Sequence, residues 1–342
     1  MKRYAQALVI GGGAFGTSIA SVLSHNFREV LIKVRSQDVF ESLLKKENTI
    51  YLEGHRLDDS IRPILNWNEL DIKKQDIEII VIGLPTSALQ VFLQENLELL
   101  KSFLKRNIPM VVLSKGIDPE TLFMPDDIFF SSFPEFKESI CFLSGPSFAK
   151  EILDKQLTLV NLAGQSRSTL LLLSPMLETR FFKVYPTYDI KGVLLGGALK
   201  NILAIAGGII EGLGYNHNTR AAMITRGIQE MLRFGIVFNA RPETFYGLSG
   251  MGDLILTTTG DISRNKLFGL QIAKGLKPEE IISSSRNVVE GYQTTRAAYL
   301  IAQKYQIRTT IFEALYRVLY QDISPEQIIQ EIMQISGKFT HE

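Results

Sequence analysis

The sequence predicts an α/β chain: a doubly wound, mostly parallel sheet over its first half, followed by an all-α domain. Three observations carry this. Short apolar runs alternate with helical stretches up to about residue 188, a glycine-rich turn closes the first run, and no convincing strand appears after Asp189. Such alternation places helices on the faces of a parallel sheet. At 342 residues the chain exceeds one ordinary domain and suits two. The texture changes near Pro186 to Asp189 without a low-complexity linker, so the domains are set at residues 1–188 and 189–342.

In chain order, residues 7–10 form the first expected strand and residues 16–24 the first helix. Residues 29–34 are the second strand, and 77–82 is an apolar run stopped by Gly83 and Pro85. Runs at 109–113, 140–143 and 158–162 complete the strands. Residues 48–68 read as a loop-rich excursion to which no contacts are assigned. Helices are expected over 192–212, 219–238, 278–284, 294–305 and 324–336, the last opened by Ser324-Pro325-Glu326.

Composition limits the function classes. Apolar residues make up 45% and charged residues 21%, with a net charge of +1, which gives no electrostatic case for nucleic acid or an anionic membrane. The single cysteine, Cys141, makes no intrachain disulfide and no metal cluster; it is read as a strand residue and fits a reducing, cytoplasmic compartment. The start of the chain lacks the pattern of a signal peptide. The longest apolar stretch, 193–210, carries Lys200 and Asn201 at its centre. A central lysine is costly in a bilayer, so the stretch is read as a buried helix lining a site, not a span.

The motif Gly11-Gly12-Gly13-Ala14-Phe15-Gly16 fits G-x-G-x-x-G at Gly11, Gly13 and Gly16. The first glycine permits the tight turn, the second lets backbone approach a pyrophosphate, and the third lets helix pack on strand. The helix N-terminus then faces the phosphates. This is a Rossmann-like context for a dinucleotide. Where an acid would hold the ribose 2′-OH of NAD, the second strand ends in Arg35-Ser36. An arginine there can pair with a 2′-phosphate; the plainer alternative is a solvated loop residue. NADP, with NADPH preferred, is the expected cofactor, with NAD left open.

Four further segments stand out: Ser114-Lys115-Gly116; Ser144-Gly145-Pro146-Ser147-Phe148-Ala149; Gly196-Gly197-Ala198-Leu199-Lys200-Asn201; and Gly250-Met251-Gly252-Asp253, with Thr257 and Ser263-Arg264-Asn265. The first two follow apolar runs, where ligands of open α/β sheets bind. Lys200 is the only charge between Lys191 and Glu211. Such a lysine must snorkel or meet partners, and an acid such as Asp253 would hold it. It can then exchange a proton with a carbonyl or alcohol, or serve only as a satisfied lysine at a domain contact. Arg264 between Ser263 and Asn265 suits a phosphate or a cofactor, or a plain surface. Val289-Glu290-Gly291-Tyr292 reads as an acid–glycine turn in a loop.

Taken together, these segments resemble the bacterial glycerol-3-phosphate dehydrogenase family. The likeness runs in order over nearly the whole chain: residues 11–17, Lys115-Gly116, 144–151, 196–201, Thr225-Arg226-Gly227, 250–254, 263–265 and 288–292. Gly12, where alanine is commoner, and Gly83-Leu84-Pro85 are mild departures. The resemblance implies a helical domain like the C-terminal domain of 6-phosphogluconate dehydrogenase, with the active site between the two domains. It implies Lys200 as general acid/base, with Lys115 and Asp253 as the charged residues that hold or polarise the substrate. Gly145, Ser147, Asn201, Thr257, Ser263, Arg264 and Asn265 are implied substrate contacts. Ala14, Phe15, Arg35, Lys115, Ala149, Arg264, Val288 and Glu290 are implied cofactor contacts beside Gly11, Gly13 and Gly16. The implied reaction is the reduction of dihydroxyacetone phosphate to sn-glycerol 3-phosphate by NAD(P)H, feeding glycerophospholipid synthesis, in a homodimer without a metal. Two alternatives are another reductase of a β-hydroxy acid or 2-ketoacid on the same scaffold, and a non-catalytic NADP(H)-binding sensor.

Overall fold

The computed structural model describes residues 2–70, 76–284 and 288–334. Its chain divides into two compact units, Met1–Lys115 with Phe123–Leu194, and Gly116–Leu122 with Leu195–Glu342.

The first unit is built on eight strands: β1 Tyr4–Ile10, β2 Phe27–Lys33, β3 Ile61–Ile64, β4 Ile77–Ile82, β5 Met110–Val112, β6 Ile140–Ser144, β7 Thr158–Ala163 and β8 Phe182–Thr187. Their order in the sheet is β3-β2-β1-β4-β5-β6-β7-β8. Every neighbouring pair is parallel except β6 and β7. Strand order reverses direction at β1 and β4, the switch point where doubly wound sheets take their ligands. The helices are α1 Ala14–Ser24, α2 Gln37–Leu44, α3 Leu89–Leu104, α4 Pro125–Ser132, α5 Ala149–Leu153 and α6 Arg167–Leu177. The central strands are buried along their length, as in Ala7–Ile10 and Ile79–Ile82, because helices cover them. On one face, Ala7, Val9, Ile79 and Val81 pack with Ile19 and Leu23 of α1 and Leu170 and Leu173 of α6 in one core.

Two strands differ from the sequence expectation. The excursion at 48–68 contains β3, and β8 was not expected. Both are sheet edges, and each carries a proline, Pro63 and Pro186. Proline removes a ladder donor and is tolerated at edges, so it interrupts the apolar run by which a strand is recognised while leaving the strand in place.

α7 Ile190–Gly212 opens in the first unit and continues in the second. Asp189 starts it: its carboxylate accepts the Gly192 N–H at 3.0 Å. By length and composition α7 could cross a membrane, yet its apolar window is entirely buried within the protein. The remaining helices are α8 His217–Val237, α9 Pro242–Tyr246, α10 Asp253–Thr259, α11 Arg264–Ala273, α12 Pro278–Ser284, α13 Glu290–Tyr305, α14 Ile311–Tyr320 and α15 Pro325–Gln334, with one π turn at Leu248–Gly252. The expected end of the last helix, at 335–336, lies outside the described residues. Among the described residues no strand follows β8. α14 lacks a local side-chain cap; buried Glu230 of α8 supplies one, accepting N–H groups of Thr310 at 2.7 Å, Ile311 at 2.8 Å and Phe312 at 3.1 Å. Burial pushes the Glu230 carboxyl up, against the pull of those donors.

Candidate active site

The glycine turn leaves β1 at Ile10 and enters α1 at Ala14. Gly11 has φ +112°, and a Cβ there would lie 2.4 Å from the Gly83 carbonyl oxygen. A Cβ on Gly16 would lie 2.1 Å from the Gly11 carbonyl oxygen. Gly13, the N-cap of α1, is the contrary case: a Cβ there would touch nothing within 4 Å. Two glycines are thus required by close packing, and the third keeps open the space before the helix. No side chain caps this end and no acid lies in its first turn, so its N–H groups remain for an anion. This cradle fits a dinucleotide pyrophosphate. Gly12 is also constrained, since a Cβ would come within 2.5 Å of Val34 Cγ1 and 3.0 Å of Val39 Cγ1. Arg35 is exposed, two residues beyond the end of β2, with no acid between.

A second cluster gathers at the ends of β5 and β6. Lys115 Nζ donates to the Gly145 carbonyl at 3.1 Å, and Ser147 Oγ donates to the same oxygen at 2.8 Å. The Lys115 ammonium also stands 5.4 Å from the centre of the Phe15 ring, in the first turn of α1. Gly145 has φ +152°, and a Cβ would approach Val160 Cα to 2.9 Å. Ala149 begins α5 nearby in the chain. Cys141 lies buried in β6, where burial pushes its thiol up to about 12. Among the described residues, no group of three His, Cys, Asp or Glu side chains could hold a metal ion.

The second unit holds the buried lysine. Lys200 is 7% exposed and donates to Asp253 Oδ1 and, at 3.1 Å, to Thr257 Oγ1. Asp253 opens α10, and Thr257 follows one turn later on the same face. Gly196 brings the partners together. A Cβ there would sit 2.4 Å from the Ser249 carbonyl oxygen in the π turn, so only glycine lets α7 lie against that turn. Lys200, four residues on, shares that face.

Two other predicted residues, Asn201 and Asn265, meet each other. Asn265 Nδ2 donates to Asn201 Oδ1 at 3.0 Å, and Asn265 Oδ1 accepts the Gly291 N–H at 3.0 Å. The acid–glycine segment is therefore not a loop, as expected, but the first turn of α13, begun by Glu290 and capped from a distance by Asn265. Short polar side chains at a helix start read as loop when the cap lies elsewhere in the sequence. Ser263 caps α11 by accepting the Lys266 N–H at 3.3 Å. Arg264 and Val288 are exposed.

Sequence reasoning missed two buried side chains. Lys266, 2% exposed, pairs with Glu211 at 3.2 Å and Asp261 at 3.0 Å and donates to the Thr259 carbonyl at 3.4 Å. Asn48, in the stretch given no contacts, reaches the glycine turn. Neither had a local signal, because each stands among polar neighbours.

A dinucleotide cradle on a doubly wound sheet, and a helical unit that buries a lysine–aspartate pair, define the class of two-domain nicotinamide-dependent dehydrogenases. Residues 6–170 match the model of the NAD-dependent glycerol-3-phosphate dehydrogenase N-terminus, and residues 189–330 match that of its C-terminus. The chain belongs to this glycerol-3-phosphate dehydrogenase family. It is 37% identical over 332 residues to an enzyme of Syntrophotalea carbinolica named glycerol-3-phosphate dehydrogenase, NAD(P)+, covering 96% of this chain and 98% of that one. A namesake from Leptospira biflexa is 37% identical, with coverage of 95% and 96%. The crystal structure of glycerol-3-phosphate dehydrogenase from Coxiella burnetii superposes with a TM-score of 0.87 at 28% identity, over 97% of this chain and 99% of that one.

Proposed function

We propose that this chain reduces dihydroxyacetone phosphate to sn-glycerol 3-phosphate with NAD(P)H, NADPH preferred, and so feeds glycerophospholipid synthesis. The names of its relatives support the reaction, and one observation carries the mechanism: an ammonium group almost sealed from water on an apolar helix, held by Asp253 and Thr257. When bound, the reduced nicotinamide supplies a hydride to the ketone carbon. Lys200 meets the charge that grows on the ketone oxygen and gives it a proton. Asp253 and Thr257 keep the amine oriented. Lys115 adds positive field, with Gly145 and Ser147 beside it. Arg264, flanked by Ser263 and Asn265, anchors the substrate phosphate, and that remote binding orients the carbonyl. Asn201 completes the polar contacts.

The cofactor is held by Gly11, Gly13 and Gly16 with Ala14 and Phe15, and further by Lys115, Ala149, Arg264, Val288 and Glu290. Arg35 takes the 2′-phosphate, which favours NADPH. We further infer a cytoplasmic homodimer. The free, buried Cys141 suits a reducing compartment, and light scattering in solution measures the mass. The deciding assay is oxidation of NADPH on adding dihydroxyacetone phosphate, repeated with NADH. Turnover with a 2-ketoacid or β-hydroxy acid and none with dihydroxyacetone phosphate would sink the reading.

A further inference from the structure

We propose that Asn48 is a positioning residue for pyrophosphate binding, acting through the Gly12–Gly13 peptide; this rests on the dinucleotide reading of the turn. Asn48 is wholly buried. Its Nδ2 donates to the Gly12 carbonyl at 2.9 Å and to Thr17 Oγ1 at 2.8 Å, and Thr17 Oγ1 reaches the same carbonyl at 3.4 Å. A trans peptide is planar, and its C=O and N–H point opposite ways. Holding the Gly12 carbonyl towards Asn48 therefore turns the Gly13 N–H away from it. Gly13 is the residue before which space is open, with nothing within 4 Å of an added Cβ. Consecutive glycines give this peptide wide freedom of rotation, so a fixed donor needs an outside hold.

Asn48 is itself firmly placed. The turn after it closes through the Leu52 N–H on the Asn48 carbonyl at 2.7 Å. Thr49 N–H donates to Ser42 Oγ at 3.0 Å, tying the segment to α2. Val34 and Val39 close off the side of Gly12 where a Cβ would stand. The side chain thus acts on backbone that meets the ligand and does not itself contact the cofactor.

The test is calorimetric titration of the full chain with two probes. ADP-ribose carries the pyrophosphate; adenosine 2′-monophosphate does not. Asn48→Ala is expected to weaken ADP-ribose about five- to tenfold, the loss of roughly one hydrogen bond, and to change adenosine 2′-monophosphate less than about twofold. Asn48→Asp, which sets an acceptor against the Gly12 carbonyl, weakens ADP-ribose at least as much. If Asn48→Ala does not fold, Thr17→Val reads the same peptide and is expected to show the same split. Equal loss of both probes, or unchanged ADP-ribose affinity, overturns the proposal. A wild-type chain that binds neither ADP-ribose nor NADPH overturns the dinucleotide reading itself, and the proposal with it.

Discussion

Lys200 and Lys266 lie in the same unit, and both are nearly sealed from water, at 7% and 2% exposure. Their counter-charges differ. Lys266 faces two carboxylates and a carbonyl, three acceptors for its three donors. Asp261 is almost fully in solvent, and Glu211 is also held by Arg220. Lys266 therefore ties the end of α7 to the turn before α11. Lys200 is held by Asp253, itself 1% exposed, and the Thr257 hydroxyl stands 3.3 Å from the same carboxylate oxygen. The Thr257 hydroxyl also donates to the Asp253 carbonyl at 2.5 Å. Burial alone does not mark a proton donor. The partners differ as well: Lys266 reaches solvent-exposed Asp261, whereas the Asp253 that holds Lys200 is itself sealed.

The largest expected effect follows from this contrast. Lys200→Ala should lower kcat by about 10² to 10⁴ in steady-state NADPH oxidation; turnover within threefold of wild type would erase the distinction. Asp253→Asn removes the counter-charge and keeps the shape. A charged hydrogen bond contributes about 1.5–3 kcal/mol, so kcat should fall roughly ten- to a hundredfold. Lys266→Met should behave the other way. Turnover should stay within about threefold, while stability falls by about 1–2 kcal/mol, much reduced because its partners reach water. Differential scanning calorimetry would show that as a melting transition lowered by a few degrees. A hundredfold loss of kcat with an unmoved transition would make Lys266 the chemical residue instead.

The smallest effect isolates burial without a counter-charge. Burial pushes the Cys141 thiol up to about 12. A raised pKa gives stability that is present below the unfolded value and lost as pH rises towards the folded one. Wild type should therefore lose about 1 kcal/mol more than Cys141→Ala between pH 7 and pH 10, read by urea unfolding at each pH. Parallel curves would mean that the thiol titrates normally in the fold.

Legibility in the sequence followed contrast with surroundings. Lys200 was visible because, apart from Asn201, only apolar or small residues stand between Lys191 and Glu211 around it, whereas Lys266 follows Ser263-Arg264-Asn265 and looks like surface. The glycine turn was legible because strand, turn and helix are contiguous. Asn48 was not, since its partners Gly12 and Thr17 lie more than thirty positions away. α10, α11 and α14 went unseen: none opens on a proline, whereas α12, no longer than α10, is marked by Pro278-Glu279-Glu280 at its start. Their caps were partly readable: Ser263 holds α11 locally, whereas α14 depends on Glu230, eighty residues earlier.

The two proline-bearing rims, β3 and β8, bear on how copies of this chain meet. An open sheet margin invites another backbone to continue it, and such growth has no natural end. With an amide missing from each terminal strand, that route is disfavoured at both ends. A finite dimer would then have to form through side chains elsewhere, which keeps a concentrated enzyme from polymerising through its own scaffold.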